Sequence, residues 1–249
     1  PLSLDATVVV EVKEPFGEPR IHKNLPGGIV DLEVYRQEVI EGIHDHWIDP
    51  KEGKWTYTYH QRLFAYRAIN NAMEPESGPF EAVNQIEWMA EKLSRAPHTR
   101  RAQAITWIPH SDPGTDDPPC LQRVWARLLP RSEGEGYCLN LNTHWRSRDL
   151  VLAWFMNAFG FTHLQKVLAG KISDRMGEPV AVGRYVDISD SLHIKGSLRT
   201  NELASEVEKM QSSPWTERAW ETSRFEQIFA DARERLAEDP DYFARGGKV

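Results

Sequence analysis

Two thiols, Cys120 and Cys138, are present in a chain of 249 residues, and they keep different company. Cys120 closes the segment TDDPPC, residues 115–120. Two consecutive prolines fix the backbone and remove two amide donors, so the cysteine after them is presented stiffly. A thiolate held beside cations is a strong nucleophile. A cysteine at the start of a strand is also an ordinary core residue, and the segment by itself reads more readily that way. Cys138 sits in an alternating stretch typical of a strand.

The cations that could serve such a thiol lie in two places. Arg100 and Arg101 precede a predicted strand. Arg146, Ser147, Arg148 and Asp149 lie between a predicted strand and a predicted helix. Arginine forks pair with phosphate oxygens, a serine hydroxyl adds one bond, and a helix start there would add amide donors. Ordinary surface ion pairs are the plainer reading of each segment alone. Asn157 lies in the apolar stretch AWFMNAFGF. Its amide needs partners there, from the neighbouring backbone or from a ligand such as the polar edge of uracil or, flipped, of cytosine. His193 and Lys195 alternate just past a predicted strand and share one face, where they could bind sugar hydroxyls.

The elements that must hold these residues can be read from pattern. Strands are predicted over 6–12, 101–108, 121–129, 136–145 and 180–189. Helices are predicted over 31–42, where Leu32, Tyr35, Val39 and Ile43 share a face, and over 80–95. Residues 149–168 read as a buried helix, with a second helical stretch from about Thr162. The tail, 198–238, reads as charged and helical. Strands cluster in the middle with helices around them, which favours an α+β fold, taken as one domain over 1–249.

Net charge is −7, so the surface as a whole repels nucleic acid and anionic membrane. A nucleotide would need a local basic cluster. No run approaches the roughly 18 apolar residues of a membrane span. The first residues lack a basic segment followed by a long apolar one, so no secretory signal is expected there. Two cysteines make neither a disulfide framework nor a zinc site, no metal is expected, and a reducing cytoplasm is the default compartment.

Taken in order, the segments resemble the thymidylate synthases and related pyrimidine nucleotide hydroxymethylases over about residues 45–196. The matching pieces are Arg100-Arg101, Pro119-Cys120, Arg146-Ser147-Arg148-Asp149, Asn157 eight residues after that aspartate, and His193-Ile194-Lys195. Tyr59 matches a tyrosine of the family, and Trp47 a tryptophan near its folate site. The resemblance implies a mixed sheet flanked by helices and a homodimer packed sheet to sheet. It also implies 5,10-methylenetetrahydrofolate as co-substrate and a pyrimidine nucleoside monophosphate as substrate. Cys120 would add to C6 of the base, and C5 would take up the one-carbon unit. Arg146 and Ser147 would hold the phosphate, with Arg100 and Arg101 reaching it from the other subunit. Asp149 would bond the pterin, Asn157 would read the base, and His193 and Lys195 would hold the sugar. The family also uses a glutamate in proton transfer. Glu38 borders the apolar helix face whereas Glu41 points away, so Glu38 is chosen.

The departures point to an altered substrate. Leu121 follows the nucleophile where histidine is common. Trp145 stands where glutamine is common, and Ala153 near a common glycine. Lys195 replaces a tyrosine, and an ammonium can serve two adjacent hydroxyls of a ribose. The expectation is C5 hydroxymethylation of a ribonucleotide, CMP slightly ahead of UMP. The alternatives are thymidylate synthesis from dUMP and a non-catalytic nucleotide-binding protein.

Overall fold

The computed structural model describes residues 2–24, 27–68, 81–198 and 201–249, apart from the side chains of residues 201, 202 and 206. In chain order, the β-branched run near the N-terminus forms β1 (Leu4–Val12), and a two-residue strand β2 (Ile21–His22) comes next. Helix α1 (Ile29–Glu41) starts where the Asp31 carboxylate accepts from the Gly28 amide at 2.6 Å. It stops at Gly42, whose φ of 65° is the left-handed conformation that favours glycine. A Cβ at Gly42 would also lie 2.2 Å from Nδ1 of His60. Helix α2 (Tyr59–Phe64) is capped by Thr58, whose hydroxyl accepts from the Gln61 amide at 2.9 Å. Asn84 caps α3 (Gln85–Arg95) in the same way.

The central elements are β3 (Gln103–Ile105), β4 (Leu121–Pro130), β5 (Tyr137–Trp145), β6 (Arg148–Asp149), α4 (Trp154–Met176) and β7 (Val180–Ile194). The tail holds α5 (Asn201–Ser212), α6 (Trp215–Arg218), β8 (Ala219–Trp220) and α7 (Glu226–Glu238). The main sheet runs in the order β1-β7-β5-β4-β3, with β6 added to β7. Every pairing is antiparallel except those of β7 with β5 and β6. The long helix α4 makes the crossover from β5 to β7 that a parallel pair requires. This is a mixed sheet flanked by helices, as expected.

Alternation along β4 sorts its side chains. Val124, Ala126 and Leu128 are buried with Leu139, Leu141 and Tyr185, and with Phe161, Leu164 and Leu168 of α4. Arg123, Trp125, Arg127 and Leu129 point to the other face. A smaller cluster joins Ile21, Leu32 and Phe159 to Phe225 and Phe229. It ties the tail to α1 and α4. Among the described residues no helix is long and apolar enough to cross a membrane.

Several expectations need correction. Residues 154–176 form one unbroken helix of 23 residues, starting later than residue 149 and not interrupted near Thr162. Thr162 is accommodated because its hydroxyl donates to the Phe159 carbonyl at 3.0 Å. The strand predicted over 101–108 keeps only residues 103–105. The helix predicted over 80–95 begins at Gln85, and its first predicted residue lies outside the described residues. Strand β7 runs on to Ile194, so His193 lies within a strand, paired with Asp5 on one side and Asp149 on the other. The tail is helical but broken by β8, which pairs with β2.

Candidate active site

Strand register brings the chemistry-bearing segments together. In the β4–β5 hairpin, Leu121 pairs with Trp145. Cys120, just before β4, therefore faces Arg146, just after β5. The Arg146 amide donates to the Cys120 carbonyl at 2.9 Å. The Arg146 guanidinium folds back over the prolines: Nε donates to Pro119 O at 3.0 Å and Nη2 to Pro118 O at 2.5 Å. The stiff segment that presents the thiol is thus fastened by the arginine next to it.

Electrostatics at Cys120 differ from the cation-activated thiol expected. Burial pushes the thiol above its ordinary value, and Asp117 pushes the same way. Arg146 and Arg148 pull it down without reversing the balance. The thiol is half-buried.

The parallel pairing of β6 with β7 sets Asp149 opposite His193. Oδ1 of Asp149 accepts from the amides of Val151 and Leu152, both at 2.9 Å, and this turn delays α4. No helix start therefore adjoins Arg146 and Ser147, and the dipole contribution expected there does not apply. Oδ2 of Asp149 is buried and makes no hydrogen bond. Lys195 Nζ stands 3.5 Å from it as an ion pair and is otherwise half exposed. His193 Nδ1 is 3.4 Å from the Ser191 carbonyl.

Asn157, in the first turn of α4, has both ends of its amide engaged. Oδ1 accepts from Arg148 Nε at 3.2 Å, and Nδ2 donates to the Tyr35 hydroxyl at 2.6 Å. Arg148 is buried, stacks 3.7 Å over the Trp145 ring, and its Nη1 donates to Asp187 Oδ2. Asp187 also accepts from Tyr185 and Ser189, each at 3.0 Å. Burial drives the Tyr35 hydroxyl far above its ordinary pKa, so it stays protonated.

A cleft of about 620 Å³ adjoins this end of the sheet, lined by Glu38, Trp55, Tyr57, Tyr59, Asp116 and Asp117 among others. Tyr59 Oη accepts from the Leu121 amide at 3.4 Å, which ties the cleft to the residue after Cys120. Burial raises the hydroxyls of Tyr57 and Tyr59 well beyond the usual range. Glu38 Oε2 lies 2.9 Å from Nδ1 of buried His44. His44 stacks on Trp47 at 3.7 Å, and Trp47 meets Trp55 edge-on at 4.8 Å. Trp47 Nε1 donates to Asp241 at 2.8 Å, so the C-terminal segment reaches this wall.

Arg100 and Arg101 are exposed and line a separate surface cavity of about 500 Å³ with Trp88, Lys92, Arg95 and His98. It shares no lining residue with the cleft. Sequence reasoning passed over Tyr35, His44, Trp55, Tyr57 and Asp187. The alternation Trp55, Tyr57, Tyr59 is a signal that could have found two of them. Tyr35 counted only as a core residue, because its hydroxyl acquires a role only when α4 packs on α1.

The mixed sheet with its β5–α4–β7 crossover sets a half-buried cysteine at a strand start, and Tyr59 links the residue after it to a tyrosine-lined cleft. A family model for thymidylate synthase matches residues 33–215, and the chain belongs to that family. The chain is 30% identical over 191 residues to a protein of Methanocaldococcus jannaschii described as a putative thymidylate synthase, covering 75% of this chain and 72% of that one. A protein of Methanosarcina acetivorans with the same description is 29% identical over 191 residues, covering 77% and 72%. Among solved structures, the thermostable thymidylate synthase A of Bacillus subtilis superposes with a TM-score of 0.53 at 17% identity. That match covers 77% of this chain and 66% of the other, and it speaks for the fold alone.

Proposed function

We propose that this chain transfers a one-carbon unit to C5 of a pyrimidine nucleoside monophosphate, with Cys120 as the nucleophile that adds to C6. The observation that carries the reading is the convergence of Cys120, Arg146, Asp149 and Asn157, distant in sequence, at one end of the β4–β5–β7 array. Cys120 donates an electron pair to C6 and is expelled at the end. Arg146 keeps Nη1 for the phosphate while its other nitrogens hold the prolines, and Ser147 adds a hydroxyl. Tyr59 and Glu38, which line the cleft, orient water and move the proton lost from C5.

Methylenetetrahydrofolate as co-substrate fits the residues present. A buried carboxylate oxygen of Asp149 without a hydrogen bond suits a pterin donor, and Trp55, backed edge-on by Trp47, offers an aromatic surface in the cleft. It would supply the one-carbon unit. In a homodimer packed through the sheet face of Trp125 and Arg127, Arg100 and Arg101 reach the partner's phosphate. Arg127 Nε and Asn142 Oδ1, buried without hydrogen bonds, support a covered face.

The departures at Leu121, Trp145 and Lys195 favour a hydroxymethyl product. The grip of Arg148 and Tyr35 on Asn157 favours the second reading, methylation of a uracil nucleotide, and the relatives are described as putative thymidylate synthases. These contacts of Asn157 argue against the expected slight preference for cytosine. The contact of Lys195 with Asp149 likewise weakens the argument that its ammonium serves a ribose diol. Incubation with CMP, dCMP, UMP and dUMP plus methylenetetrahydrofolate, read by mass spectrometry, distinguishes added CH2 from added CH2O. The same four substrates with Lys195→Tyr test the sugar contact. No modification of any of them would overturn the reading.

A further inference from the structure

We propose that Arg148 and Asp187 are a positioning pair that fixes which way Asn157 turns its amide, so that this site accepts uracil and rejects cytosine. The inference rests on the reading of Asn157 as the base-facing residue. An asparagine amide is nearly symmetric in shape, and turned over it offers the opposite pattern of donor and acceptor. Arginine has donors only. The atom 3.2 Å from Arg148 Nε is therefore the amide oxygen, and the nitrogen falls 2.6 Å from the Tyr35 hydroxyl. The flipped amide would set an NH2 against a guanidinium.

The frame behind this contact is buried. Arg148 is 3% exposed and Asp187 1%. Arg148 lies flat on Trp145 and is bound at Nη1 by Asp187, whose carboxylate is held in turn by Tyr185 and Ser189. Tyr35 is wedged against Gly160 of α4, where an added Cβ would come within 2.8 Å of its ring. Each grip uses one lone pair of Oδ1 and one hydrogen of Nδ2, which leaves one acceptor and one donor for a ligand.

The side on which each lies decides the base. The carbon that takes up the one-carbon unit, C5, must face the cleft that Glu38 lines. Glu38 and Tyr35 are neighbours one turn apart on α1. C4 is bonded to C5, so its substituent lies on the Tyr35 side, against Nδ2, and N3 lies against Oδ1. Uracil offers an acceptor at O4 and a donor at N3, and both match. Cytosine offers an amino group and a lone pair, and both clash. A polar group left facing its own kind in a closed site is what gives strong discrimination.

The test is the Kd and kcat/KM of UMP, dUMP, CMP and dCMP with native protein, Tyr35→Phe, and the doubly neutral Arg148→Met/Asp187→Leu. The double change leaves no unpaired buried charge. Tyr35→Phe removes the second grip without touching a charge. Native protein is expected to favour uracil over cytosine nucleotides on the order of 10⁴-fold. The ratio should fall toward one in the double variant and part of the way in Tyr35→Phe. A merely structural pair would weaken all four nucleotides alike and leave the ratio unchanged, which overturns the proposal. So does an unchanged ratio in Tyr35→Phe alone, or a native preference for cytosine. If native protein binds none of the four, the proposed function itself fails and takes this inference with it.

Discussion

Cys120 is pulled in two directions, and the outcome can be measured. Burial and Asp117 raise the thiol while Arg146 and Arg148 lower it, and the raising side prevails. Only the thiolate attacks carbon, so alkylation by iodoacetamide should speed up as pH rises through a value above the ordinary thiol range. Asp117→Asn removes one raising charge. At a pH below that value it should accelerate alkylation severalfold, and the two proteins should converge at higher pH. A background of Cys138→Ala isolates the signal, and equal rates at every pH would remove Asp117 from the account. Cys120→Ala should abolish turnover with the fold intact by circular dichroism, while Cys138→Ala keeps most activity. Retained turnover without Cys120 would end the mechanism. At this scale the sequence was legible where side-chain type suffices: a thiol after two prolines, arginines in a row, an amide in an apolar run. It was not legible where a role depends on what another element brings. Lys195 reads as a sugar ligand, and its ion pair with Asp149 arises only once β6 has paired with β7. Arg148 has no role of its own in the sequence reading and is buried on Asp187.

Elements fix distances that residues alone cannot. Pairing of Leu121 with Trp145 puts the thiol beside Arg146, and a slip by one residue would turn every side chain of β4 to the other face. The strands that set this register were readable from alternation. The turn between Asp149 and α4 was not, because it depends on the Asp149 carboxylate capturing two amides after β6 has paired with β7. Helix α4 also meets α1 closely at Gly160. Gly160→Ala should push Tyr35 off Asn157 and raise KM for the nucleotide more than it lowers kcat, in steady-state assays. Unchanged kinetics would show that Tyr35 has room to yield. Helix α2, which carries Tyr59, is moored by Arg62. That guanidinium is buried with Asp112 at 2.7 Å and also donates to the Thr106 carbonyl at 3.0 Å. Removing one partner of a buried pair leaves an uncompensated charge. Arg62→Met should therefore lower unfolding stability by about 3–5 kcal/mol in urea titrations. A loss under about 1 kcal/mol would place the pair among those that contribute little.

The whole molecule poses a question of completeness. Tyr57 and Tyr59 line the cleft, and Cys120 and Arg146 adjoin it through Leu121, but Arg100 and Arg101 stand at a different cavity. If the active unit is a two-fold dimer, each site takes Cys120 from one subunit and Arg101 from the other. A two-fold axis then makes a prediction that mutation of one chain cannot. Let one subunit carry Cys120→Ala and its partner Arg101→Ala. One site receives both defects. The other receives an intact Cys120 from the Arg101→Ala chain and an intact Arg101 from the Cys120→Ala chain, so it is native. Random exchange at equal concentrations makes half of the dimers mixed, each with one of two sites working. Activity should thus return to about a quarter of the native value, though neither parent is active alone. Dilution below the dimer dissociation range before mixing should speed the recovery. If both arginines served their own subunit, no combination would rebuild a site, and the mixture would stay as inactive as its parents. An Arg101→Ala protein that is fully active by itself would remove the residue from the site altogether.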